Sequence, residues 1–268
     1  MTTRSSWLQK STKDSERFGI RIFRGTINGH IENPSRLVND IIESKADLVV
    51  VRVPAGDVTL PFALANQGVS PVHADTLVYY ERDAKLPAIE LSSNFPFEFH
   101  LANEADRSSL STLATLAFSS YRSHYHANPE LDPATIAAGY GEWAASCIAG
   151  SFDEQQRSLG NHRETWTVRF ERKIIAFATC AINNPEKSAE VLLNAVNPHY
   201  SGQGVYSNLL REVVSVYQQR DMACIRISTQ VWNYTVQRAW VRQGFLLTHA
   251  YDTYHLHLNL GTHRTASA

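Results

Sequence analysis

The stretch from Ala189 to Leu210, AEVLLNAVNPHYSGQGVYSNLL, constrains this chain most. Glu190 to Val196 is mostly apolar and of strand length. Asn197-Pro198 stops it, because proline donates no ladder hydrogen bond and restricts the residue before it. Ser201-Gly202-Gln203-Gly204-Val205-Tyr206 then runs into an amphipathic segment with Val205, Leu209, Leu210, Val213 and Val214 on one side. Two glycines at a strand-to-helix turn leave successive backbone N–H groups uncovered, and with the helix dipole they form a seat for a pyrophosphate. Gly-x-Gly alone also fits a tight turn. A Rossmann fingerprint needs three spaced glycines and a following acidic residue, and a Walker loop needs Gly-Lys-Ser/Thr. Neither pattern is present.

Net charge is -1, which gives no electrostatic case for nucleic acid or an anionic membrane as partner. No apolar run approaches the roughly 20 residues of a membrane span, and the polar N-terminus lacks the apolar core of a secretory signal. Three widely spaced cysteines, Cys147, Cys180 and Cys224, fit reduced thiols and a cytoplasmic location better than a disulfide framework. The histidines show no metal-binding spacing, so no metal is expected.

Read in order, Phe18 to Phe23 suggests a first strand. Asn33-Pro34-Ser35 caps a helix over Arg36 to Ser44, and DLVVVRV (Asp47 to Val53) is a buried strand. A helix follows over Val58 to Asn66, ended by Gln67-Gly68, then a strand over Ala74 to Glu81. The end of the chain repeats that order: strand Ala223 to Val231, helix Asn233 to Arg242, Gln243-Gly244, strand Leu246 to Leu258. Asp83 to Phe95 reads as a linker. It separates an N-terminal half, residues 1–90, from a larger domain, residues 91–268. In the larger domain a strand (Glu98 to Leu101), two helices (Glu104 to Phe118 and Pro133 to Ile148) and a hairpin (Thr165 to Phe170, Ile174 to Ile182) precede the stretch above.

This order, mixed α/β with a central mixed sheet, resembles the GNAT superfamily of N-acyltransferases. The family's pyrophosphate loop, Arg/Gln-x-x-Gly-x-Gly/Ala, stands here as Ser201-x-x-Gly204-x-Tyr206; the central glycine matches and the outer two positions depart. Asn233, Trp240 and Gly244-Phe245 resemble the family's Asn-x6-Tyr-x3-Gly-Phe helix, with tryptophan in the tyrosine's place. The resemblance implies acetyl-CoA as donor, held by Ala195, Val196, Ser201, Gly202, Gln203, Gly204, Val205, Tyr206, Ser207 and Asn233. Residues 1–90 then read as a truncated GNAT-like half. Within the superfamily the chain resembles enzymes that acetylate TDP-fucosamine, through Phe18-Gly19, the extra N-terminal half, and the run AFSSYRS ahead of a helix with Tyr140 and Trp143. That likeness implies a nucleotide-linked amino sugar as acceptor, a role in surface polysaccharide synthesis, and a homodimer.

Acetyl transfer to an amine needs a neutral amine, a polarised thioester carbonyl and a protonated leaving thiolate. Glu190 is the candidate base, sharing strand parity with Asn194 and Val196; the other reading is a solvated strand-end glutamate. An indole is a donor only, so Trp240 cannot be the acid: Tyr206, Tyr234 or water must substitute, or the thiolate leaves unassisted. Tyr206 is the nearest in motif terms, and its other reading is helix packing. Tyr121, Arg122, His124, Tyr125 and His126 are the candidate acceptor residues, able to stack on a base or sugar and to bind a diphosphate. Packing of these rings against the core is the alternative. Another small or protein amine as acceptor, or a degenerate acyl-CoA-binding protein, also fits the sequence.

Overall fold

The fold is that of a computed structural model, which describes residues 7–27, 34–87, 89, 97–148 and 160–258. The expected cap at Asn33 and most of the expected linker, 88 and 90–95, lie outside the described residues. In chain order the elements are β1 (Gln9–Lys10), α1 (Thr12–Phe18), β2 (Ile22–Thr26), α2 (Pro34–Ser44), β3 (Leu48–Pro54), α3 (Thr59–Ala65), β4 (Val69–Asp83) and β5 (Glu98–Leu101). There follow α4 (Arg107–Phe118), α5 (Pro133–Ser146), β6 (His162–Phe170), β7 (Lys173–Asn183), β8 (Ser188–Val196), α6 (Val205–Gln219), β9 (Cys224–Gln230), α7 (Tyr234–Arg242) and β10 (Leu246–Leu258). The sheet is mixed, as a GNAT fold requires. The strand expected from Phe18 starts later. Phe18 ends α1, Gly19 adopts a left-handed φ of 68° that a side chain would resist, and β2 begins at Ile22.

The chain divides into two compact units, neither continuous in sequence. The first gathers residues up to Leu77, Arg122–Asp132 and the chain from His249. In it β2 and β3 run parallel, Ile22 opposite Leu48, and β10 returns antiparallel on β3 with Leu256 opposite Val49. Leu37, Val38 and Ile41 form one stripe of α2 and pack with Leu60 and Leu64 of α3 on Val49, Val51 and Val53. Each such burial contributes about 1.5–3 kcal/mol.

The second unit comprises Val78–Tyr121 and Pro133–Thr248. Here β5, β6, β7 and β8 form an antiparallel meander, and β9 joins β8 in parallel. On α4, Leu110, Leu113, Ala114 and Phe118 pack with Ala144 of α5 on Phe177 and Leu193. The two helices approach closely because position 141 is glycine: a Cβ there would sit 2.8 Å from the Ser111 carbonyl. An Asn103/Asp106 capping box starts the turn into α4. On α6, Val205, Leu209, Leu210, Val213, Val214 and Tyr217 make the buried stripe. Tyr217 reaches Cys180, on the sheet face opposite Phe177, so α4 and α6 cover opposite faces.

Candidate functional site

Two features of β8 shape the site. Thr179 of β7 lies opposite Leu193, and Cys180 opposite Val191, so Leu192 has no partner and forms a bulge. Residues in register share a sheet face. Glu190, opposite Ala181, therefore faces the α4 side with Leu193 and Ala195, while Asn194 and Val196, opposite Ala178 and Ala176, face the α6 side. The expectation that Glu190, Asn194 and Val196 share one face is overturned, because the extra residue reverses the alternation between them.

The second feature is a gap. The parallel ladder between β8 and β9 runs from Ser188 opposite Cys224 to Val191 opposite Ile227 and stops there. Both strands continue, β8 to Val196 and β9 to Gln230. The N–H of Asn197 points to β7, where it donates to the Ile175 carbonyl at 2.7 Å. By alternation the N–H and C=O of Asn194 and Val196 point into the gap. These are donors and acceptors aimed at a space where an extended ligand could act as the missing strand.

The turn at Ser201 to Gly204 is exposed and leads directly into α6. Gly202 and Gly204 have φ of 77° and 78°. An added Cβ at Gly204 would meet only Asn208 Nδ2, at 3.8 Å, so backbone conformation and not space demands glycine there. Gly204 is the N-cap and supplies no side chain; its carbonyl accepts from both the backbone and side-chain N–H of Asn208. The first-turn amides of Val205, Tyr206 and Ser207 therefore carry no cap, and no acidic residue occupies the turn. Gln203 Nε2 folds back onto the His199 carbonyl at 3.2 Å, leaving the amide face of the turn clear of that side chain.

Tyr206 turns inward. Its hydroxyl accepts from Trp240 Nε1 at 2.7 Å, and burial raises its pKa, against the lowering effect of that bond. Trp240 is wholly buried and meets Tyr80 edge to face, ring centres 5.3 Å apart. Asn233 is the N-cap residue of α7 and donates from Nδ2 to Thr229 Oγ1 at 3.0 Å. Glu190 is half-buried; burial raises its pKa, and Arg226 across the ladder partly offsets the shift.

The five expected acceptor residues are divided. Tyr121 belongs to the second unit. Its hydroxyl donates to Gln230 Oε1 and lies 3.1 Å from Thr229 Oγ1, at the end of β9 beyond the last ladder pair. Its ring meets Trp232 at 5.1 Å and Phe118 edge to face, and Phe118 stacks on Tyr140 at 4.3 Å. Arg122, His124, Tyr125 and His126 belong to the first unit. There the Tyr125 hydroxyl donates to Asp14 and accepts from Arg24, and His124 is buried with Nδ1 3.1 Å from His255 Nε2. Arg122 is exposed. Sequence reasoning missed the Trp240–Tyr206 bond and the place of Trp232 and Gln230, which depend on contacts between distant segments. It also missed the bulge, since a leucine pair inside an apolar strand carries no local signal.

Among the described residues no group of three or more His, Cys, Asp or Glu is arranged to hold a metal ion, and no helix is long and apolar enough to cross a membrane.

Residues 133–245, which span α5 to the turn after α7, match the model of the acetyltransferase (GNAT) family. A search of curated proteins finds no match. Among solved structures, the chain is similar to a GCN5-related N-acetyltransferase from Sphaerobacter thermophilus, with a TM-score of 0.61 and 14% identity over 92% of this chain and 75% of that one. It is also similar to a tandem GNAT protein from the clavulanic acid biosynthesis pathway (TM-score 0.58, 8% identity, 87% and 74% covered). A GCN5-related N-acetyltransferase from Kribbella flavida gives a TM-score of 0.52 at 12% identity, with 88% and 80% covered. At such identities the likeness is one of fold.

Proposed function

We propose that this protein, whose residues 133–245 match the model of the acetyltransferase (GNAT) family, transfers an acetyl group from acetyl-CoA to the amine of a nucleotide-linked amino sugar. The observation that carries the donor half is the β8–β9 gap, with the uncapped amides of α6 beyond the end of β8. In this reading the pantetheine arm pairs with the backbone of Asn194 and Val196. The pyrophosphate sits on the turn at Ser201 to Gly204 and the amides of Val205 to Ser207. The Val196 N–H polarises the thioester carbonyl, and Asn233 contacts the CoA moiety.

Glu190 serves as base on the acceptor side. It faces the α4 side, as does Tyr121, which packs with Phe118. Burial raises its affinity for a proton toward that needed to take one from an amine. Tyr121, Tyr140 and Trp232 supply ring faces for a base or sugar. The likeness to TDP-fucosamine acetyltransferases supports this acceptor class and a place in surface polysaccharide synthesis. Residues 1–90 serve as a GNAT-like companion half: β3-α3-β4 and β9-α7-β10 are each strand, helix and strand, with left-handed glycines at Gly68 (φ 80°) and Gly244 (φ 81°) ending the two helices.

The test is thermal unfolding with and without acetyl-CoA, followed by thiol release with a panel of TDP- and UDP-linked amino sugars and simple amines. Ligand at ~100 times its dissociation constant adds about 2.7 kcal/mol. A shift with release on a nucleotide sugar supports the whole reading. Release only on simple amines replaces the acceptor, and no shift removes the donor site.

A further inference from the structure

We propose that the first unit holds a second binding site, for a small oxyanion (a carboxylate or a phosphate), built on Arg52, Thr253 and His255. It goes beyond the acetyl-transfer reading and does not depend on it. The sheet of this unit has one apolar face and one polar face. Val49, Val51, Val53 and Leu256 pack with α2 and α3. On the other side the ladder sets Arg24, Val50 and His255 in one cross-strand row, and Thr26, Arg52 and Thr253 in the next. Apart from Val50 every member of those rows is polar, and Thr253 and His255 are wholly buried.

Three of these side chains have hydrogen-bonding capacity that no described residue takes up. Thr253 Oγ1 and His255 Nδ1 are buried without a partner among the described residues, although buried polar atoms are as a rule paired. The Arg52 guanidinium is half-buried and makes no hydrogen bond or ion pair among the described residues. Thr253 lies directly opposite Arg52, which brings their Cβ atoms to about 5 Å. His255 is two residues further along the same face. His124 covers it, with Nδ1 3.1 Å from His255 Nε2 and the rings edge to face. When His124 Nδ1 donates that bond, His255 carries its own proton on Nδ1, and all three groups are donors.

Charge points the same way. Asp14 is the carboxylate bonded to this face, and it is fully engaged: Ser11, Arg17, Arg24 and Tyr125 all donate to it. Arg24 is spent in turn on Asp14 and the Tyr125 hydroxyl. Burial holds His124 neutral, and Arg52 stands close enough to add to the effect. Arg52 is thus a positive charge beside two buried donors, with no carboxylate of its own. A guanidinium fork takes two oxygens of one planar or tetrahedral anion. The Thr253 hydroxyl and the His255 Nδ1–H then meet the remaining lone pairs. A cation is repelled by Arg52, and a neutral ligand leaves its charge unmatched.

The experiment is titration calorimetry at neutral pH and constant ionic strength, with sodium phosphate and sodium acetate as separate probes and chloride as the balancing ion. It compares wild type, Arg52→Gln, Thr253→Val and Arg21→Gln, with circular dichroism to show that each is folded. Wild type is expected to bind one equivalent of at least one probe, and the tighter of the two tells a phosphate site from a carboxylate site. Arg52→Gln and Thr253→Val should each weaken that binding by at least ~tenfold. Arg21→Gln removes an exposed cation of the same unit, paired with Asp47, and should leave it unchanged. An equal loss in Arg21→Gln makes the binding general charge attraction and overturns the site. Unchanged affinity in folded Arg52→Gln or Thr253→Val overturns it too. Should Arg52→Gln fail to fold, Thr253→Val, which keeps the shape and drops the hydroxyl, decides. Wild type that binds neither probe also overturns the proposal and leaves Thr253 and His255 to internal water. Acetyl-CoA does not enter the test, so this site and the acetyl-transfer reading can fail separately.

Discussion

Glu190 and Asn194 lie four residues apart on one strand and face opposite sides of the sheet. The unpaired Leu192 between them separates a carboxylate aimed at the α4 side from backbone groups that look into the gap. In the proposed reaction, base and donor-binding edge would thereby be carried by one strand without competing for the same face.

Glu190→Gln is expected to lower kcat by ~100-fold or more with acetyl-CoA affinity unchanged. The active form is the carboxylate, so wild-type activity rises with pH through a pKa that burial has raised above its usual value near 4.5. The variant should lose this acid limb. A pH–rate profile from pH 4.5 to 8 checks it; a limb that survives in Glu190→Gln assigns it to another group.

Gly204 separates strain from charge. Gly204→Ala meets no crowding, and its cost is the left-handed φ of 78°, on the order of 1 kcal/mol. Gly204→Asp carries the same strain and adds a negative charge at the pyrophosphate seat. Acetyl-CoA binding by titration calorimetry should fall modestly in the first variant and vanish in the second. Equal affinities would remove the loop from the donor site.

Trp232→Ala should raise the acceptor KM by about fivefold, the loss of roughly 1 kcal/mol of aromatic contact, and leave the acetyl-CoA KM alone. Initial rates with each substrate varied in turn distinguish the two. An effect confined to acetyl-CoA would move Trp232 to the donor side.

The first unit carries a pH-dependent stability. Burial pushes His255 down to about 4, with His257 and Arg24 adding to the effect, and holds its partner His124 well below the ordinary range. Neutral in the fold, His255 takes up a proton on unfolding once pH falls below about 6.5. Its stability contribution is full above that pH and declines until about pH 4, by on the order of 3 kcal/mol. Urea unfolding at pH 7 and pH 4.5 should show this drop, and His255→Gln should shrink it. An unchanged difference in the variant would place the acid sensitivity elsewhere.

Two strands were legible from their local run of residues whatever their burial, since Glu98–Leu101 is mostly exposed and so is the start of Leu246–Leu258. Leu246–Leu258 and Glu98–Leu101 have the bounds that their sequence pattern predicts. The glycine turn was legible because positive φ is a local demand with few residues able to meet it. The aromatic loop was not. Tyr121 to His126 is polar and ring-rich whether its rings face a ligand or a network such as Asp14–Arg24–Tyr125, and that choice is made by residues about 100 positions away. The tryptophan at position 240 looked like a lost acid, since its partner is 34 residues earlier on another helix.

The end of the β8 ladder has a meaning apart from chemistry. A row of unpaired strand groups is what a protein ordinarily hides, since it invites any passing extended chain to pair. Here such a row sits inside the sheet, between two strands that have already parted. In the proposed reading acetyl-CoA would also be the cover for that internal edge, and because backbone atoms would do the pairing, replacing a β8 side chain by anything but proline leaves the invitation in place. On that reading the empty protein should be its own most adhesive form, and bound acyl-CoA its protection.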